Sequence, residues 1–132
     1  MIKWLTVGFA AILLLIITCA TFGWAEPVFA FVRRVPGSDK VAHFLLLGTM
    51  SLLLNLSLGC HRTNVAGMAF LTGVFMLLVL ATIEEFVQIW VPTRSFSLGD
   101  LACNYLGIVL FGWLAARIHG RGQDASETNS LS

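Results

Sequence analysis

Apolar residues in this chain come in four long runs separated by short polar stretches, without the strict alternation of a half-buried strand. The first run covers residues 4–25 and lies between Lys3 and Glu26. The second covers 41–60, with His43 as its one readily charged side chain. The third covers 64–83 and, past Glu84 and Glu85, reaches residue 90. The fourth is uncharged only over 101–116, between Asp100 and Arg117. About 20 helical residues cross a hydrocarbon core about 30 Å thick, and the first three runs meet that length. The fourth, about 24 Å long at helical rise, must begin near Ser97 or Leu98. That start draws Asp100 to the membrane edge and puts Asn104 a turn deeper.

The pattern therefore predicts an all-α, polytopic membrane protein with four transmembrane helices, at about 4–25, 41–60, 64–90 and 98–116. Long apolar runs without alternation exclude a transmembrane β-barrel. The four spans form a single domain over residues 1–119. Residues 120–132, rich in Gly, Ser, Gln, Asn and Thr, are expected to be a disordered polar tail.

Composition agrees. Of 132 residues 58% are hydrophobic and 11% charged, whereas a soluble domain carries about 25% charged residues. A net charge of +1 gives no pull towards nucleic acid, and none is expected as a partner. Cys19, Cys60 and Cys103 are odd in number and widely spaced, so they show neither a disulfide framework nor a metal spacing. Trp4, Trp24, Trp90 and Trp113 lie near the ends of the predicted spans, as an interfacial aromatic belt requires. The first run imitates a secretory signal, but it is long for one and is read as a retained helix. Lys3, Arg62, Arg117 and Arg121 balance Arg33, Arg34, Lys40 and Arg94 across the membrane. With Lys40 and Arg94 set aside for function, the positive-inside rule places both termini in the cytoplasm.

Up-down alternation gathers three polar stretches at one membrane surface: the start of the second span, the end of the third and the start of the fourth. They are Asp39-Lys40-x-x-His43, Glu84-Glu85-x-x-Gln88 and Arg94 with Asp100-x-x-x-Asn104. Ionisable groups in or near a membrane span are functional candidates by default. Glu85 and Gln88 share one helix face, with Glu84 turned about 100° from Glu85. Asp100, Asn104 and Gly107 form another stripe, and Gly107 admits a close helix neighbour. Plainer roles compete with the functional ones. The two glutamates can mark a helix end, Ser97-x-x-Asp100 can form a capping box, Arg94 can anchor to headgroups, and Asn104 can be packing glue. At a membrane edge Arg94 is expected to join Glu85 and Asp100 in a network near His43, and Asp39 is expected to orient the imidazole of His43.

Taken in order, Asp39-Lys40-Val41-Ala42-His43-Phe44, Glu85-Phe86-Val87-Gln88, Pro92-Thr93-Arg94-Ser95 and Asp100 with Asn104-Tyr105-Leu106-Gly107 resemble the VanZ-like family of small bacterial membrane proteins. That family is named for a member associated with resistance to the glycopeptide teicoplanin. The resemblance implies a bacterial cytoplasmic (inner) membrane location. It also implies Asp39, Lys40, His43, Glu85, Gln88, Arg94, Asp100 and Asn104 as the binding positions. The chain departs from the pattern at Phe96-Ser97-Leu98-Gly99, where many relatives carry an acidic or aromatic pair.

Three functions are consistent with these residues. The first is a polar pocket at the outer face that binds a lipid headgroup, a cell-envelope precursor or a glycopeptide-like amphiphile. The second is a membrane-embedded enzyme acting on a lipid-linked or phosphate-bearing substrate, with His43, Glu85 and Asp100 as the catalytic candidates. The third is a small-solute transporter, which four spans without an internal repeat could build only as an oligomer. No cofactor is expected. Histidine with carboxylates can hold a divalent ion, but one suitable histidine and no tight ligand motif argue against a metal centre.

Overall fold

The computed structural model describes the backbone of all residues except 25, 33, 93–95 and 131–132, and it also leaves aside the side chains of 29, 32 and 124–130. The order of elements is α1 (Ile2–Phe22), α2 (Glu26–Val32), α3 (Ser38–Ser57), β1 (Arg62–Val65), β2 (Met68–Leu71), α4 (Thr72–Val87) and α5 (Leu98–Ser130). A single 3-10 turn, Gln88–Trp90, prolongs α4. Four helices are long and apolar enough to cross a membrane: Ile2–Phe22, Ser38–Ser57, Thr72–Trp90 and Leu98–Gln123. The chain is thus an all-α membrane protein of four spans, with the short helix α2 and a β-hairpin in its connections.

Two boundaries differ from those expected of the sequence. The third span begins at Thr72, not at residue 64, because residues 62–71 fold back as an antiparallel hairpin pairing Arg62 with Leu71 and Val65 with Met68. Its two-residue loop, Ala66-Gly67, has φ of 52° and 80°, the left-handed pair that suits a tight hairpin turn. The apolar side chains of this hairpin disguise it as a stretch of span. The fourth span begins at Leu98, as its short apolar run requires. It does not give way to a disordered tail at residue 120, however, but continues as helix to Ser130. Helical hydrogen bonds are local, so the extension needs no tertiary partner, and Gln123 reaches back one turn to His119 at 3.3 Å.

The helices are held by a close parallel seam. α3 and α5 run in the same direction, and their contacts step in register from Lys40–Asp100 through His43–Asn104 to Ser51–Ile108. Small residues permit the approach. A Cβ on Gly107 would collide with the carbonyl oxygen of Phe44, and one on Gly48 would lie 2.8 Å from the ring of Phe111. Ser51 Oγ donates to the Ile108 carbonyl at 2.7 Å, and Asn55 Nδ2 donates to the Ser51 carbonyl at 2.8 Å.

α4 runs antiparallel to this pair. Val74 meets Gly112 at one end, Thr82 bonds Tyr105 midway, and Glu85 meets the chain entering α5 at the other. Val74, Leu77, Ala81 and Ile108 form the core between α4 and α5. α1 packs mainly on α3, where Thr6 Oγ1 lies 3.2 Å from the Leu53 carbonyl. Its outer face stays exposed, with Leu5, Ile12, Leu14 and Leu15 each more than half accessible. In water such a surface would aggregate; in a bilayer it faces acyl chains of equal polarity.

Candidate functional site

The parallel seam brings the first turns of α3 and α5 to the same end of the bundle, where the last turn of α4 joins them. Asp39 and Asp100 each occupy a first helical turn, where the positive end of the helix dipole favours a carboxylate. Glu85, Gln88 and Asn104 are buried at this end, and Asp100 is 9% exposed. A protein with so little charge has thus placed two carboxylates and two amides inside a membrane bundle.

Ser97 organises the site from the loop. Its Oγ accepts the N–H of Asp100 at 3.3 Å, the cap that the Ser97-x-x-Asp100 spacing predicts. In a capping box the acid three residues on would take the cap residue's own N–H. Here that N–H donates instead to Glu85 Oε1 on α4, at 2.7 Å. Glu85 therefore closes the box from a neighbouring helix, which leaves the Asp100 carboxylate to face α3. There it receives Lys40 Nζ at 3.5 Å, and the lysine stem lies over Gly99. The second oxygen of Glu85, Oε2, is buried and has no hydrogen-bond partner among the described residues. Among the described residues, the titratable side chains around this carboxylate include Glu84, Asp100 and His43.

His43 is held from both sides. Its Nδ1 lies 3.1 Å from Asn104 Oδ1 on α5, and its Nε2 faces Asp39 Oδ1, one turn earlier on α3, at 3.8 Å. An amide oxygen can only accept, so Nδ1 carries the proton and Nε2 is turned towards the carboxylates. Gln88 Nε2 donates to Glu84 Oε1 at 2.7 Å, across one turn of α4.

The structure thus joins Asp39, His43 and Asn104 in one set of side-chain contacts and Lys40 with Asp100 in another, with ligand atoms of Asp39, His43 and Asp100 within 4.8 Å of one another and Glu85 beside them through Ser97. Gln88 is buried nearby and bonded to Glu84. Arg94, expected to join Glu85 and Asp100, lies outside the described residues; among those described, the basic partner of Asp100 is Lys40. The spacing did not single out Ser97 as the link between α4 and α5, because the contact uses a backbone N–H. It also passed over Ser51 and Asn55, although two polar residues four apart in an apolar run signal a helix-packing face.

Below the polar end, between α1 and α4, lies an apolar groove of about 380 Å³. Ala10, Leu14 and Ile17 of α1 face Leu77, Leu80 and Ile83 of α4 across it, and Glu84 and Asn104 also line it. The groove exists because α1 leans on α3 and not on α4.

Comparison with family models, with curated proteins and with solved structures returns no match for this chain.

Proposed function

We propose that this protein binds an amphiphile at one membrane surface, with the polar headgroup at the Lys40–His43–Glu85–Asp100–Asn104 cluster and the apolar tail in the groove between α1 and α4. The observation that carries the proposal is the continuity of the two. Glu84 and Asn104 line an apolar groove of about 380 Å³ that otherwise lies among aliphatic side chains, a volume within the range of small-molecule sites. A lipid, a lipid-linked envelope precursor or a glycopeptide-like amphiphile has this two-part chemistry, and the VanZ-like resemblance points to the same class. The cluster faces outward from a bacterial inner membrane, with both termini in the cytoplasm.

Two measurements test this reading. Protein extracted with its native lipids should retain a defined amphiphile in mass spectrometry. Ala10→Trp, which fills the groove, and Glu85→Gln, which removes a buried charge, should each deplete it while leaving the bundle folded. Retention of the same lipids by both variants would reject the site. For orientation, Val28→Cys in α2 should react with an impermeant thiol reagent added to intact spheroplasts. Labelling only after the membrane is opened would reverse the assignment.

The held imidazole of His43 supports a second reading, hydrolysis or transfer at a phosphate-bearing headgroup with His43 as general base. His43→Gln would then abolish product formation while leaving amphiphile retention intact.

A further inference from the structure

We propose that Asp39, His43 and Asp100 form a binding site for a divalent transition-metal ion of the Zn2+ or Mn2+ class, with Glu85 as a third carboxylate behind it. One suitable histidine and no tight ligand motif argue against a metal along the chain, because the ligands come from two helices and only Asp39 and His43 are close in sequence. The fold supplies the missing proximity: one ligand atom from each of the three residues lies within 4.8 Å of the other two.

The first argument is the gap between His43 and Asp39. Asn104 accepts from Nδ1, which leaves Nε2 as the ring atom turned towards a carboxylate oxygen 3.8 Å away. Lone pair against anion is repulsive unless a positive charge lies between them. A bridging proton would draw the two atoms to about 2.7–2.9 Å, a full ångström closer than observed. Two ligands held about 2.1 Å from one ion in tetrahedral geometry stand about 3.4 Å apart, which the observed gap reaches with a small contraction. A histidine whose far nitrogen is fixed by an amide or carboxylate oxygen is also the usual form of a metal-binding histidine.

The second argument is independent of that gap. Glu85 is fully buried, and its Oε2 has no hydrogen-bond partner among the described residues. His43 and Asp100 are among the titratable groups close to it. A buried carboxylate oxygen without a donor calls for a cation. One imidazole with several carboxylates is a mixed nitrogen and oxygen donor set, which favours Zn2+ or Mn2+ over Mg2+ or Cu+.

Lys40 sits as the internal competitor. Its ammonium lies 3.5 Å from Asp100 Oδ1, where it supplies the positive charge an ion would bring, and its side chain is half exposed on a flexible stem. Metal entry then displaces Lys40 towards the membrane surface, and removing the lysine charge must strengthen binding.

This inference does not depend on the amphiphile reading, because its test uses the metal alone. Tag-free, full-length protein in detergent is stripped with chelator and titrated with Zn2+ and Mn2+ by calorimetry, with metal content measured after gel filtration. One ion per chain is expected. His43→Gln and Asp100→Asn should each weaken it by about tenfold or more, and Asn104→Ala by a comparable factor through loss of the ring's orientation. Lys40→Met should tighten it several-fold. His61→Gln and His119→Gln should leave it unchanged. As a readout that does not depend on variant stability, Mn2+-loaded wild type should show electron-spin coupling to an imidazole nitrogen. Absence of stoichiometric binding to wild type, affinity that follows His61 or His119, or no tightening in Lys40→Met would each overturn the proposal. In that event Asp39–His43 and Lys40–Asp100 are two ordinary ion pairs.

Discussion

The two ends of the bundle both bury polar side chains, but of different kinds. At the hairpin end Ser51 donates across to the Ile108 carbonyl and Asn55 donates to Ser51 within α3, with Gly73 and Gly112 packed against them. All of these groups are neutral. Interhelical bonds of that sort contribute about 0.6–2 kcal/mol each and act as packing glue. At the opposite end Glu85 and Asp100 are carboxylates in the same low-dielectric bundle, where an ionised group costs several times more unless a counter-charge meets it. Neutral burial at the hairpin end needs no explanation beyond assembly, whereas at the other end the cost of buried carboxylates is offset only by the Ser97 N–H on Glu85 and by Lys40 and the helix dipole on Asp100. The difference is the ground on which the charged end is proposed as the functional one.

Four substitutions test that contrast, in decreasing order of expected effect. Gly107→Val places a branched side chain against the Phe44 backbone and should destabilise the bundle by about 3 kcal/mol. It would be read as loss of monodisperse protein and a lowered melting temperature; a wild-type melting curve would disprove the close seam that both ends share. Glu85→Gln keeps an acceptor for the Ser97 N–H but removes the charge. It should leave the melting temperature near wild type while retained amphiphile falls about tenfold, the size of about 1.4 kcal/mol in binding. If stability falls in step with retention, the charged end is scaffolding too.

Ser51→Ala at the hairpin end should cost about 1 kcal/mol of stability and leave amphiphile retention unchanged. A retention loss matching that of Glu85→Gln would erase the distinction between the ends. The smallest effect is expected from Ala66→Gly. It relieves a left-handed backbone at φ 52° and, after glycine's extra chain entropy, should stabilise the hairpin by about 0.5 kcal/mol, seen as slower amide exchange in residues 62–71. Faster exchange would show that the turn is not under strain.

The spans were legible because a bilayer imposes a length and a polarity that few other environments demand. Alternation of four spans was enough to bring Asp39, His43, Asp100 and Asn104 to one surface. What local pattern could not decide was the start of α4. Val65, Met68, Phe70 and Leu71 are as apolar as any span, and only the backbone geometry at Ala66-Gly67 shows that they pair as strands. Within the site, the spacing of Glu84 and Glu85 showed that they diverge around the helix. It did not show that Glu85 would be the one enclosed, since that depends on where Ser97 offers its N–H. The partner of Asp100 was equally hidden, because Lys40 is 60 residues away in the chain.

That separation has a consequence for how the protein is made. The contacts of α3 with α5 join residues 57 to 61 positions apart, and α4 must leave the ribosome between them. Until α5 is synthesised, Ser51 and His43 lack their partners on α5, and the small-residue face of α3 around Gly48 is open to lipid. α3 can therefore enter the bilayer packed on α1, with its seam face waiting for the last helix to dock beside it. A nascent chain stopped before residue 112 would hold three inserted but loosely associated helices, a natural substrate for membrane quality-control proteases.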